Sequence, residues 1–330
     1  MAQRTGCRET RRCYTAAITF APSSQRLRAG GLTMQQVTVR VPASTSNLGP
    51  GYDCLGVALR LHNSITVARG KMVGSSHLRI VSDAAERLFK RTRRRTFSFS
   101  CSIVERVPRC RGLGSSATVR LGVLLALNRL SGDPLDRVNL FGLCAELEGH
   151  PDNAAPASFG GFTVVGSSRR ANSQQQSGKG GVSTIQRFDV ASGLYFVLLV
   201  PEFEIETSKA RRVLPKEISH VAAIQNSANA CAITAAFGSQ DYEKMRGAFS
   251  DNLHQPFRTK LIPFLPRVIA AAEGAGALGA FLSGSGSVIA AVTLEAPEKI
   301  ATAMARAAAA PADTIITRAD NRGAQIRSHR

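Results

Sequence analysis

The chain has 330 residues with 44% hydrophobic content, enough for one large or two moderate folded domains. No apolar run reaches the ~18 residues that a membrane-spanning helix needs, so we expect no membrane partner. The net charge of +19 would attract polyanions, nucleotides and small acids. Single-strand binding requires aromatic residues interleaved with the basic ones, and the arginine runs of this chain have none. Nucleic acid is therefore the less favoured partner.

Seven cysteines are scattered along the chain without a CxxC pair or a Cys/His group at zinc spacing. This pattern predicts reduced thiols in a reducing compartment, which favours the cytoplasm.

Residues 1–33 show no helical or strand periodicity and are rich in Arg, Ser and Thr. The composition predicts a disordered extension. Two interpretations stay open, a transit-type peptide or a mistaken start with Met34 as the true initiator. We favour the second, because regular patterning begins abruptly at Met34.

Period-2 alternation of apolar residues predicts β-strands in the first third of the chain. The predicted strands cover residues 37–41, 57–61, 65–67 and 97–103. Apolar spacing predicts a helix over 118–130, which the preceding serines can cap. Asp133 followed by Pro134 predicts the start of a second helix over about 134–148, and Gly149 predicts its end.

Residues 171–184 are of low complexity and predict a surface loop. Further elements are predicted as a strand at 194–200, helices near 207–213, 219–237, 241–250 and 262–273, and a strand–turn–strand around 280–292. Strands and helices without strict βαβ alternation favour an α+β class. We place a domain boundary near residue 190, which divides the chain into 34–190 and 191–330.

A Gly/Ser-rich stretch, Arg111-Gly-Leu-Gly-Ser-Ser-Ala-Thr118, precedes the first predicted helix. Glycines let backbone N–H groups close around an anion, and a helix N-terminus attracts phosphate. The alternative is a turn that only starts the helix. The Walker pattern is absent, and the GxGxxG match at 274–279 follows a helix and precedes a strand, the reverse of the dinucleotide-binding order.

Two other segments concentrate polar residues in turns. Asn47 and Asp53 are the outward polar candidates of a dense turn over 42–56, which could also be an ordinary Pro/Gly turn. Glu148 is predicted at a helix C-terminus, where the helix dipole disfavours a carboxylate by ~0.3–1 kcal/mol. This placement indicates a compensating cation or a functional role; the alternative is a solvated surface Glu. Polar residues follow it directly at His150, Asp152 and Asn153.

These segments together resemble the GHMP small-molecule kinase superfamily. The motifs that carry the resemblance are Val41–Gly56, Pro108–Ala117 and the glycine-rich segment Gly279–Val288. A narrower resemblance, to the homoserine kinase family, rests on Glu148–Pro156, Thr207–Pro215 and His254–Arg258.

The resemblance implies a two-domain GHMP kinase fold, with a ribosomal-protein-S5-like, nucleotide-binding N-terminal domain and a ferredoxin-like C-terminal domain. It also implies ATP and Mg²⁺ as cofactors and transfer of a phosphoryl group to the hydroxyl of L-homoserine, a step of threonine biosynthesis. A homodimer stays open.

The resemblance also assigns roles to individual residues. Those expected to bind ATP are Pro108, Arg109, Cys110, Arg111, Gly112, Leu113, Gly114, Ser115, Ser116 and Ala117. Ser116 and Glu148 suit Mg²⁺, which prefers oxygen ligands. The homoserine carboxylate calls for Arg211 and Arg258, and its ammonium group for Asp53. Other substrate contacts are expected from Asn47, His150, Gly284, Ser285 and Gly286. The catalytic candidates are Glu148, Asp152 and Asn153, with no firm general base.

The sequence departs from the family pattern at a few positions. Tyr52 stands where Phe is usual, Ser287 where Pro or Thr is commoner, and the loop around Arg109 and Arg111 is more basic than usual. Alternative functions are another GHMP kinase, of the mevalonate or sugar type, and a basic nucleic-acid-binding protein on an S5-like fold.

Overall fold

A computed structural model describes residues 12–18, 34–70, 79–167 and 182–327. Strands and helices are mixed along these ranges, which confirms the predicted α+β class. Across the described ranges, no helix combines the length and the apolar character needed to cross a bilayer.

The strands are, in chain order, β1 (Arg12–Ile18), β2 (Gln36–Ser46), β3 (Leu55–Arg69), β4 (Phe99–Glu105), β5 (Phe162–Ser167), β6 (Val182–Phe188), β7 (Tyr195–Pro201), β8 (Gly279–Leu282), β9 (Ile289–Thr293), β10 (Ala312–Arg318) and β11 (Gln325–Arg327). The α-helices are α1 (Arg79–Thr92), α2 (Ser115–Leu130), α3 (Arg137–Glu148), α4 (Ala154–Phe159), α5 (Thr207–Arg212), α6 (His220–Ser239), α7 (Gln255–Arg258), α8 (Leu265–Gly274) and α9 (Pro297–Ala307). A 3₁₀ helix covers Tyr242–Met245.

Two antiparallel sheets organise the molecule. The first has the order β1-β4-β3-β2-β11, and β5 joins it through β3 and carries β6. The second has the order β10-β7-β9-β8. The chain therefore passes from the first sheet to the second between β6 and β7, and returns between β10 and β11. The proposed boundary near residue 190 falls at the outward passage, and the last strand belongs to the first sheet.

Alternating residues of β2 and β3 form one side of the first core, as the period-2 pattern predicts. Val37, Val39 and Val41 are fully buried, as are Ile65 and Val67. They pack with the buried faces of α1, α2 and α3 in one continuous apolar cluster. This packing fixes α2 against the sheet, so the loop before α2 is held by a rigid element.

The segment predicted to lack structure contains a strand. β1 pairs with β4 in antiparallel register from Arg12 opposite Glu105 to Ile18 opposite Phe99. Without β1, β4 would be an edge strand with unpaired backbone groups, which readily accept another strand. The rest of residues 1–33 lies outside the described residues, and so do residues 171–181 of the predicted loop. Residues 182–184 of that loop belong to β6.

Two predicted helix starts are wrong. α3 begins after Asp136, whose side chain accepts from the Asn139 N–H, and not after Asp133. α2 begins at Ser115 after Gly114, without a side-chain cap, so the serines lie inside its first turn. Gly149 ends α3 with a φ of +81°, as predicted.

The predicted helix over 241–250 is also wrong. It is limited to the 3₁₀ helix, because the chain turns at Gly247, where φ is +78°.

Candidate active site

A cavity of about 350 Å³ lies where loops of the two sheets meet. Most of the residues predicted to form a site line it: Asn47, Asp53, Arg109, Cys110, Arg111, Gly112, Gly114, Ser115, Ser116, Glu148, His150, Asp152, Asn153, Arg211, Arg258, Gly284 and Ser285. Leu113 and Ala117 instead point into the apolar core. Pro108 and Gly286 are not among the lining residues.

The loop before α2 is shaped by two glycines. Gly112 has a φ of +78°, and a Cβ there would lie 2.0 Å from the Ser283 carbonyl oxygen. Gly114 has a φ of +65°, and a Cβ there would lie 2.2 Å from Ser44 Oγ. Any larger residue would therefore push the loop away from its neighbours. The loop brings the uncapped N-terminus of α2 to the cavity, where the helix dipole and N–H groups favour an anion.

Glu148 connects this loop to the end of α3. Its Oε2 accepts a hydrogen bond of 2.7 Å from Ser116 Oγ, and its Oε1 pairs with the Arg120 guanidinium. The Glu148 side chain is only 5% exposed. Arg120 is thus the compensating cation that the position of Glu148 calls for. The sequence offers a signal for it, because Arg120 follows Ser116 by four residues and shares its helix face.

A hydrogen-bonded group follows α3 at the floor of the cavity. The His150 Nδ1 lies 2.6 Å from the Asp152 Oδ1, and Asp152 is 2% exposed. Burial raises the pKa of Asp152, but the hydrogen bond and charge of His150, the hydrogen bond from Ser46 and the charge of Arg211 together more than offset it, and the pKa falls below its usual value. Asp152 is therefore a stable anion that orients its neighbours. Asn153 accepts from Ser44 Oγ at 2.8 Å and donates to Ser46 Oγ at 3.1 Å.

Asp53 and Arg211 face each other across the same cavity. The guanidinium donates two hydrogen bonds to the carboxylate, of 2.7 and 3.0 Å, and both side chains are about one-third exposed. Asp53, His150 and Asp152 bring their side-chain nitrogen or oxygen atoms within 4.8 Å of one another. Asn47 fixes the Asp53 backbone, since its Oδ1 accepts from the Asp53 N–H at 3.1 Å.

Arg258 lies deeper than Arg211 and is only 2% exposed. Its Nε donates to the Ala210 carbonyl at 3.2 Å, and its Nη1 donates to the Gly284 carbonyl at 2.8 Å. Burial lowers the pKa of this guanidinium. Within the described ranges no ion pair joins Arg258 to a carboxylate. A buried cation without an anionic partner is costly, so an anion beside Arg258 would be electrostatically favourable.

One part of the cavity wall is apolar. Ile80, Ile103 and Val119 contribute to it. The sequence does not distinguish these residues, because each one belongs to a helix or strand whose apolar positions also form the core. Tyr52 and Thr207 line the polar part and were not assigned either.

Comparisons with known proteins agree with this geometry. Residues 79–161 match the GHMP kinases N terminal domain, and residues 232–310 match the GHMP kinases C terminal domain. Homoserine kinase from Caldicellulosiruptor bescii is 35% identical over 308 residues, which is 88% of this chain and 96% of that protein. Homoserine kinase from Gloeobacter violaceus is 37% identical over 284 residues, 81% of this chain and 91% of that protein.

The fold itself is shared more widely. A homoserine kinase structure from Cytophaga hutchinsonii matches with a TM-score of 0.78 at 24% identity, over 91% of this chain and 100% of that one. A mevalonate kinase structure matches with a TM-score of 0.60 at 14% identity, over 86% of this chain and 98% of that one. The predicted two-domain fold is thus confirmed, and the sequence relatives make the finer distinction: the chain belongs to the homoserine kinase family of the GHMP kinases.

Proposed function

We propose that the protein transfers the γ-phosphoryl group of ATP to the side-chain hydroxyl of L-homoserine, giving O-phospho-L-homoserine for threonine biosynthesis. The substrate is assigned from the arrangement of charged side chains in the cavity. Arg258 is a buried cation with no carboxylate partner among the residues that the structure describes, and Asp53 and Arg211 pair with each other nearby. An α-amino acid supplies a carboxylate for the arginines and an ammonium group for Asp53.

The same charges disfavour the alternatives. Mevalonate and galactose have no ammonium group, so binding either one would leave Asp53 without a charged partner when Arg211 turns to the ligand. Nucleic acid would have to enter a cavity of about 350 Å³, which suits a small molecule.

ATP fits the other half of the cavity. The apolar wall of Ile80, Ile103 and Val119 offers a surface for the base, and the loop over 112–116 offers backbone N–H groups for the phosphates. The new bond forms between the substrate oxygen and the γ-phosphorus while the bond from this phosphorus to the β,γ-bridging oxygen breaks, so that ADP leaves and the hydroxyl proton is released to water. Phosphoryl transfer depends mainly on positioning and charge stabilisation. Asn153 and His150, both held by Asp152, are placed to orient the substrate hydroxyl.

Ser116 and Glu148 fit Mg²⁺, because they present a hydroxyl and a carboxylate oxygen 2.7 Å apart on the cavity wall. Bound there, the ion would neutralise charge on the transferring phosphate. We place the enzyme in the cytoplasm, since Cys54, Cys101, Cys110, Cys144 and Cys231 are free thiols.

The test is a phosphorylation assay with a substrate panel. L-homoserine is compared with 4-hydroxybutyrate, which lacks the ammonium group, and with 3-aminopropan-1-ol, which lacks the carboxylate. Charge-assisted hydrogen bonds contribute about 1.5–3 kcal/mol, so each analogue should lose about 10–150-fold in kcat/KM. Mevalonate, shikimate and galactose complete the panel. A preference for one of these three would refute the proposed substrate.

Arg211→Ala tests the substrate contact directly, with Arg212→Ala as its control. Both residues lie on α5, but only Arg211 lines the cavity. We expect Arg211→Ala to raise the KM for homoserine by about 10–150-fold and to leave the KM for ATP unchanged. Equal kinetics in the two variants would remove Arg211 from the substrate contact.

A further inference from the structure

His254 is fully buried behind the substrate half of the cavity, yet it has no part in the function proposed above. It precedes α7, the short helix that also carries Arg258. His254 Nε2 lies 2.8 Å from the Gly49 carbonyl oxygen, and its Nδ1 lies 3.1 Å from Arg258 Nη1.

These two contacts fix the state of the imidazole. A carbonyl oxygen can only accept, so Nε2 carries the hydrogen. A guanidinium can only donate, so Nδ1 offers its lone pair to Arg258. His254 is therefore neutral, with its hydrogen on Nε2. Burial also lowers the pKa of His254 to about 4, and the charge of Arg258 acts in the same direction.

The nearest carboxylate does not disturb this arrangement. Asp251 Oδ2 lies 3.5 Å from His254 Nε2, but it accepts the backbone N–H groups of His254 and Gln255 at 3.0 and 2.6 Å. Asp251 thus holds the start of α7 in place and leaves the guanidinium to other acceptors. Those acceptors are neutral: His254 Nδ1 and the carbonyls of Ala210 and Gly284.

The Arg258 guanidinium joins segments that carry other cavity residues. Ala210 immediately precedes Arg211, and the Gly284 carbonyl also accepts from Asn47 Nδ2 at 3.0 Å. The position of Arg258 therefore affects both sides of the substrate half of the cavity.

We infer that His254 is a positioning residue, which orients Arg258 through a neutral acceptor and so leaves its positive charge available to the substrate carboxylate. A carboxylate at position 254 would orient Arg258 equally well but would neutralise it. The inference rests on the proposed function for the identity of the substrate, and on the contacts of His254 for everything else.

Two variants of equal shape test it. Asn Oδ1 and Asp Oδ1 both take the place of His254 Nδ1, and they differ in charge. We expect the substrate KM of His254→Asn to stay within about fivefold of wild type, and that of His254→Asp to rise by about 10–100-fold. The KM for ATP should not change in either variant. In an Arg258→Met background, the difference between Asn and Asp should vanish.

Equal substrate KM values for the two variants would overturn the inference. If either variant fails to fold, ¹⁵N NMR of the wild-type imidazoles decides instead. A neutral His254 with hydrogen on Nε2 supports it, and an imidazolium or the Nδ1–H form refutes it. This spectrum does not depend on the substrate. An enzyme that ignores homoserine but shows the expected tautomer would contradict only the proposed function.

Discussion

Glu148 combines a structural contact and a proposed ligand in one carboxylate. Arg120 balances its charge by pairing with Oε1, and Ser116 Oγ donates a hydrogen bond to Oε2. The unfavourable position at the end of α3 is thus compensated by a residue of α2. Removing the carboxylate charge should affect both the ion pair and the metal.

We therefore expect Glu148→Gln to lower kcat by about 10²–10³-fold, equivalent to about 3–4 kcal/mol on the barrier. The melting temperature should fall by a few degrees, because Arg120 loses its partner. Arg120→Met breaks the same ion pair but keeps the carboxylate, and should lower Tm comparably with a much smaller loss of kcat. Steady-state kinetics at several Mg²⁺ concentrations, with thermal melts, separate the two effects. Similar kcat values in both variants would make Glu148 purely structural.

For individual residues, the sequence predicts which side chains gather in the site, but not which of them form hydrogen bonds or ion pairs with each other. Asp53 and Arg211 are 158 positions apart and were expected to contact a ligand, whereas the structure joins them to each other. The contacts of Arg258 with two carbonyls have no signature in the sequence, because every residue has a carbonyl. The assigned roles of the lining residues stay predictions.

At the start of α2, a glycine allows the loop to pack closely against its neighbours and present the helix N-terminus to the cavity. Gly114 precedes the helix in the left-handed region, and its missing side chain leaves room for Ser44. A glycine of similar conformation, Gly132, follows the same helix with a φ of +84° and open space where a Cβ would go. Substitutions at these two glycines therefore distinguish the cost of backbone strain, common to both, from displacement of the loop, which is expected only at Gly114.

Gly132→Ala should cost about 1–2 kcal/mol of stability through its positive φ and leave ATP binding unchanged. Gly114→Ala has the same strain, and its Cβ must also displace Ser44 Oγ from 2.2 Å. We expect the KM for ATP to rise at least about tenfold, because the loop over 112–116 moves from its contacts. Urea unfolding and ATP kinetics on both variants test this. A normal ATP KM in Gly114→Ala would mean that the loop tolerates the shift.

Element prediction succeeded where periodicity was undisturbed. The sequence correctly predicts the alternating apolar residues of β2 and β3 and the end of α3 at Gly149. α1 was missed although its buried residues follow helical spacing at Val81, Ala84, Ala85, Leu88 and Phe89. Most of the other positions of α1 are charged, so its apolar face is narrow and weakly marked in the sequence. β1 could not be inferred, since its partner β4 lies far along the chain.

At the scale of the whole molecule, the return of the chain to the first sheet depends on Asp320. Its Oδ2 lies 2.6 Å from His62 Nε2 on β3, and its Oδ1 accepts the N–H groups of Arg322 and Gly323. Burial alone would raise the pKa of Asp320, but these hydrogen bonds more than offset it and the pKa is lowered. The folded state therefore favours the ionised carboxylate.

A lowered folded pKa gives stability that is present above the unfolded value of about 3.9 and lost as pH falls through the folded pKa. Asp320→Asn should therefore be less stable than wild type above about pH 5, and the difference should shrink below about pH 4. Urea unfolding from pH 7 to pH 3 measures it, with exposed Asp313→Asn as control. A difference that is constant over this range would show that the carboxylate charge is irrelevant.

The two passages between the sheets have a mechanical consequence. A module attached by one connection could swivel, whereas the second sheet is tied to the first at two points, between β6 and β7 and between β10 and β11. Leu59 of β3 and Phe281 of β8 also belong to one buried apolar cluster, and the Gly284 N–H donates to the Ser46 carbonyl. We therefore expect the cavity, whose walls come from both sheets, to keep its shape, and cutting the chain between β10 and β11 to loosen it.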